Sequence, residues 1–130
     1  MNRRTQLIVA SAIVFAFSIL PWAGTLDYPF LHDDKMAVVN NPLLEGPGVD
    51  VRGIFTSTGW GDIPEYRHVA NYRPLSLLTV AATRNVAGLD PVPFRVTNVL
   101  IYAAACLMLM AVLTALGIRP LIAGIAASWF

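Results

Sequence analysis

The side chains best equipped for chemistry in this 130-residue sequence are two adjacent carboxylates, Asp33 and Asp34, in the stretch FLHDDKMAVVNNP that runs from Phe30 to Pro42. A carboxylate can take the proton from an attacking hydroxyl, and a second one beside it can bind a divalent cation or hold another group. Neighbours in an extended loop point apart, so one of the pair is expected to face a reaction and the other to take a structural or metal-holding role. Asp34 is the candidate ligand for a magnesium or manganese ion, with His32 as an auxiliary side chain. The plain alternative is that both are solvated loop acids that cap the segment after them, and for an arbitrary acidic pair that is the commoner situation. His32 and His68 match no zinc-ligand spacing, so no zinc site is expected.

A second candidate is NYRPL, Asn71 to Leu75, in which Arg73 directly precedes a proline that can occupy the first position of a helix. Free amides at a helix N-terminus favour an anion, and Arg73 would add a bidentate charged contact to a phosphate. Tyr72 offers an aromatic face or a hydroxyl to the same ligand. Arg73 could instead pair with Asp62 or Glu65. Arg95 is likewise either a phosphate contact or an interfacial anchor.

The elements that must hold these residues are apolar. The chain is 56% hydrophobic and 13% charged, with a mean hydropathy of +0.61, more than a soluble domain of this size carries. A net charge of +1 without any basic run argues against nucleic acid. The single cysteine, Cys106, excludes an internal disulfide. Leu7 to Leu26 carries no charge, and roughly 20 such residues cross a bilayer core. Pro21 and Trp22 suit a helix that loosens as it leaves the lipid. A cleaved signal peptide is disfavoured because the apolar core is long and no small-x-small site follows it. A second span is expected over 96–117 and a third from Leu121. That third run is too short to cross, so the chain is expected to open a longer polytopic protein.

Residues 1–26 therefore read as a cytoplasmic terminus and first span, 27–95 as an outer loop, 96–117 as the second span and 118–130 as a cytoplasmic turn leading into a third. Arg3, Arg4 and Arg119 fall on one side, which the positive-inside rule makes cytoplasmic. The outer loop holds all eight acidic residues. Its dense turn signals predict short helices, one capped by Asp50 and ending near Phe55, another from Pro74 to about Gly88. The second is expected to be amphipathic, with Leu75, Leu78, Ala82 and Val86 on a face that rests on the membrane. The expected fold class is an all-α membrane protein, a polytopic helical bundle with a large outer loop of short and interfacial helices.

Position then bears on substrate. An extended chain covers at most about 3.5 Å per residue, so Asp33 stays within about 25 Å of Leu26. A soluble substrate would not require that placement. A sugar carried on a lipid phosphate presents its reactive carbon at headgroup depth, where a carboxylate base could meet it.

Taken together, the DD pair followed by VVNNPLL, a tryptophan-bearing stretch, YRPLSLLT, and GLDPVPFRVTN running into a span resemble the membrane portion of the transmembrane and tetratricopeptide-repeat O-mannosyltransferase family and its bacterial relatives. That family is similar in design to GT-C glycosyltransferases. The resemblance implies transfer of a sugar, mannose first among candidates, from a polyprenyl-phosphate donor to a protein or glycan hydroxyl on the extracytoplasmic side of a bacterial inner membrane or the endoplasmic reticulum. It places Asp33 and Asp34 at the acidic motif, Tyr72 and Arg73 at the YRPL motif, and Asn98 at the asparagine that opens the second span. Where relatives often carry histidine, this chain has Arg95 and Tyr102. It shows no tetratricopeptide pattern. Two other classes stay open: a non-catalytic membrane scaffold, and a transporter, which the charge-free spans disfavour.

Overall fold

The computed structural model describes residues 2–46, 48–57 and 72–130. Among them every regular element is helical. Helix α1, Arg3–Ile19, begins where the Asn2 side chain accepts the Thr5 amide at 2.8 Å, as an N-cap should. Pro21 has no N–H to continue the α ladder, and the chain tightens into a 3-10 turn over Leu20–Thr25. After the turns of the intervening segment, α5 runs Pro91–Ala115, its start fixed by Asp90, whose carboxylate accepts the Val92 amide at 3.0 Å. Gly117, at φ +92°, turns the chain into α6, Pro120–Ser128.

Both long helices start before the expected spans, α1 at Arg3 and α5 at Pro91. Charge marks where lipid ends; a cap marks where a helix begins, and here the two differ by about a turn. Arg3–Thr25 and Pro91–Ala115 are each long and apolar enough to cross a bilayer. The chain is an all-α membrane protein.

It forms two compact units, Met1–Leu26 with Arg95–Phe130, and Asp27–Phe94. In the first, Ala10 and Val14 of α1, Cys106 and Met110 of α5, and Ala123 and Ala127 of α6 form the core. Small residues let the backbones approach: a Cβ placed on Gly124 would lie 3.0 Å from the Ala10 Cβ. The buried hydroxyls of Ser18 and Thr114 donate to the Val14 and Met110 carbonyls, each at 2.8 Å, so neither is stranded in apolar surroundings.

In the second unit, α2, His32–Asp34, continues without a break into a π-turn over Lys35–Val39. Helices α3, Val51–Thr56, and α4, Pro74–Ala87, follow. Asp50 caps α3 by accepting the Gly53 amide at 2.9 Å. Leu44, Ile54, Leu77 and Ala81 make the core, with Leu78 and Val80 against it. The face of α4 buried in this unit is that of Leu77 and Ala81, and Leu75 and Val86 of the face expected to rest on the membrane are 71% and 87% exposed. Asn41 is fully buried. Its amide nitrogen donates to the Ala37 carbonyl (3.3 Å) and its oxygen accepts the Leu43 amide (3.1 Å), tying the π-turn to the chain beyond it. Asn41→Ala strands both partners and is expected to destabilise this unit by about 1–3 kcal/mol, read as a lowered midpoint in thermal unfolding of the purified full-length protein.

Candidate functional site

The acidic pair does not sit in an extended loop. His32 to Val39 is continuous helix, because the stretch between Pro29 and Pro42 contains no breaker and its Lys, Met and Ala favour helical winding. Successive residues on a helix diverge by about 100°, so Asp33 and Asp34 still point apart. Asp33 is exposed and Asp34 half-buried. The Leu31 amide lies 3.4 Å from the Asp34 carboxylate, which curls back to the first turn it helps to start. Among the described residues Asp33 makes no hydrogen bond or ion pair, and the same holds for His32. No cluster of three metal-ligating side chains occurs among the described residues. A cation held here would rest on Asp34, with further ligands from elsewhere.

Two contacts fix the turn that carries the pair. Phe30, three residues before Asp33, packs edge-to-face on Phe94 with ring centroids 5.4 Å apart, an arrangement worth about 0.5–1.5 kcal/mol beyond area alone. At the other end Arg84 of α4 donates to the Val38 carbonyl at 2.5 Å and approaches that of Val39 at 3.4 Å. Arg84 is a residue that sequence reading did not single out for the site. The signal that could have found it is its position in the last helical turn, where a cation suits unpaired carbonyls. Arg84→Ala removes a charged hydrogen bond and is expected to cost about 1.5–3 kcal/mol. The check is faster amide hydrogen exchange through residues 35–44 relative to wild type.

Arg73 occupies the N-cap position of α4, exposed, with Pro74 at the first helical position. It lies about 16 Å along the helix axis from Arg84. Among the described residues its guanidinium has no partner; Asp62, Glu65, His68 and Asn71 lie outside the described residues. The Tyr72 hydroxyl donates to the Phe55 carbonyl at 3.0 Å, so it anchors the chain to α3 and leaves the ring face exposed. Arg95 belongs to the other unit. With Asn98 and Tyr102 of α5 and Trp22 and Thr25 beyond α1 it lines a cavity of about 330 Å³.

Two crossing-length helices, a third small-residue helix packed on the first, and a separate unit bearing an acidic turn define a membrane protein whose polar chemistry is concentrated between its spans. The chain is homologous to the TMTC family of protein O-mannosyl-transferases. It is 36% identical to human Protein O-mannosyl-transferase TMTC1 over 103 residues, 78% of this chain. It is 28% identical to mouse Protein O-mannosyl-transferase TMTC4 over 109 residues, 82% of the chain. Against Protein O-mannosyl-transferase F38B6.6 of Caenorhabditis elegans it is 27% identical over 106 residues, 81% of the chain. These matches span only 12%, 15% and 15% of those proteins' own lengths. A continuous match over 78% of this chain necessarily takes in residues 33 to 98, whatever its ends, so every candidate residue lies in the shared region. No family model and no solved structure matches.

Proposed function

We propose that this chain is part of an integral-membrane glycosyltransferase of GT-C type that transfers a sugar, mannose first, from a polyprenyl-phosphate donor to a serine or threonine hydroxyl of a protein on the extracytoplasmic side. The observation that carries the reading is the homology to proteins named as protein O-mannosyl-transferases across the stretch that holds the acidic turn. The membrane setting supports a lipid-borne donor, and Arg3, Arg4 and Arg119 support a cytoplasmic N-terminus with the acidic turn outside.

In this reading Asp33 is the base. It takes the proton of the acceptor hydroxyl as that oxygen attacks the anomeric carbon; the bond from carbon to phosphate oxygen breaks, and polyprenyl phosphate leaves from the opposite face with inversion. Asp34 orients the turn, and it would be a ligand of a divalent cation, which would supply positive charge at the departing phosphate. Arg73 at the head of α4 and Arg95 on α5 are the positive partners available to that phosphate. His32 is an auxiliary group beside the base.

The test is transfer from radiolabelled polyprenyl-phosphate mannose in membranes expressing the full-length protein, with a panel of other lipid-linked sugars beside it. Label in protein, released as an O-linked sugar, is the expected result. No transfer from any donor of the panel, by a protein shown to be inserted, overturns the proposal and leaves a membrane scaffold.

A further inference from the structure

Pro21 does more than end a helix. The 3-10 turn it begins brings Trp22, Thr25 and Leu26 opposite residues 95, 98, 99 and 102 of α5, and the 330 Å³ cavity lies among them. Those four positions follow the i, i+3, i+4, i+7 spacing of a single helix face. It is a polar face for a helix of crossing length, with Arg95, Asn98 and Tyr102 in line. A second cavity of about 130 Å³ adjoins the first and shares Trp22, Leu26 and Val99 with it. Its remaining wall is Ile19 at the end of α1, Ala23 of the 3-10 turn, and Val96 and Leu100 on the neighbouring face of α5. A largely apolar cavity edged by Arg95, Asn98 and Thr25 thus adjoins a wholly apolar compartment at the end of the two spans.

We infer that this paired cavity is where the lipid end of the donor docks, its phosphate at Arg95 and the first part of its hydrocarbon chain against Ile19, Val96 and Leu100. The inference rests on the lipid-phosphate donor proposed above. Charge selects the occupant: a guanidinium at the edge of a span matches a phosphate, and its five donors leave room for a phosphate beside any partner it already has. Chain selects it as well, since a free phosphate or sugar phosphate would leave the apolar compartment unused, at a cost in unburied surface. Depth agrees, because Arg95 precedes the charge-free part of α5 and Trp22 is of the type that settles at the headgroup level. Of the two arginines proposed for the phosphate, Arg95 is the one with an apolar cavity beside it among the described residues.

The experiment uses the purified full-length protein in phosphatidylcholine nanodiscs and tritiated polyprenyl phosphate without sugar, so that binding is read apart from transfer. Saturable binding is expected, weakened at least tenfold by Arg95→Gln, largely restored by Arg95→Lys and weakened several-fold by Trp22→Ala. Inorganic phosphate at matched concentration should not compete, and phosphatidic acid should compete poorly. Wild-type affinity in Arg95→Gln and Trp22→Ala, each confirmed monodisperse, overturns the inference even if mannose transfer is intact. Equal competition by phosphatidic acid overturns it too, since the site would then take any anionic membrane lipid. Binding with the expected variant pattern but no transfer from any lipid-linked sugar upholds the site while sinking the glycosyltransferase reading.

Discussion

Asp33→Asn is expected to lower sugar transfer by the full-length protein by about 10²–10⁴-fold, the usual contribution of a positioned general base. Asparagine keeps the size and the helical turn but cannot accept the acceptor's proton. Asp33 is exposed and uncommitted among the described residues, whereas Asp34 is half-buried and turned toward the Leu31 amide. The two substitutions should therefore differ in kind. Asp34→Asn should weaken the start of the acidic turn and, where a cation assists, raise the magnesium or manganese concentration needed for half-maximal rate. Initial rates at matched expression, across a series of cation concentrations, separate the two. Full activity in Asp33→Asn would remove the base assignment, and a larger loss in Asp34→Asn than in Asp33→Asn would exchange the two roles.

Gly124→Leu is expected to be the most damaging single change in the unit formed by the long helices. Even a Cβ at this position would meet the Ala10 Cβ at 3.0 Å and its Cα and carbonyl oxygen at 3.4 Å. The obstacle is α1 itself rather than the end of a flexible side chain. Gly124→Ala requires a shift of a few tenths of an ångström and should cost little; a leucine must push α6 away from α1. Overpacking of this kind costs about 1–3 kcal/mol and sometimes more. The neighbouring small residues Ala123 and Ala127, buried against Ala10 and Val14, would lose contact together. Thermal unfolding in detergent should rank wild type, alanine and leucine in that order, with the leucine variant several degrees lower. A leucine variant as stable as wild type would show that α6 does not depend on close approach to α1.

How far the sequence spoke for itself depended on whether local composition or a distant partner decided each feature. The apolar spans were legible because a run of twenty uncharged residues has few other uses, and the caps at Asp50 and Pro74 were legible because capping is local chemistry. The partners that α4 packs against were not. Its sequence, PLSLLTVAATRNVA, is apolar around most of its circumference, so a rotation of one residue changes the periodic fit very little. Ile54 and Leu44, remote in sequence, select Leu77 and Ala81 as the inner face. The acidic turn was missed for a related reason. Two adjacent aspartates read as loop, yet the breaker-free stretch after them, held by Phe94 at one end and Arg84 at the other, winds into helix and π-turn. Of the candidate site, the residue types were visible, while the bond from Arg84 to Val38 spans 46 positions and nothing local names its partner.

The 3-10 winding at Pro21 has a consequence for the bilayer. The α-helical part of the first span, 17 residues, climbs about 26 Å, short of a hydrocarbon core of about 30 Å but close to the roughly 27 Å of thinner membranes. The six residues that follow rise more steeply, about 2 Å each, and their roughly 12 Å completes the crossing. Helix α5, 25 residues long, meets a change of thickness by tilting. The first span ends in the turn after Ile19, so its outer end, with Trp22 and Thr25, is the part that a change of lipid thickness reaches first.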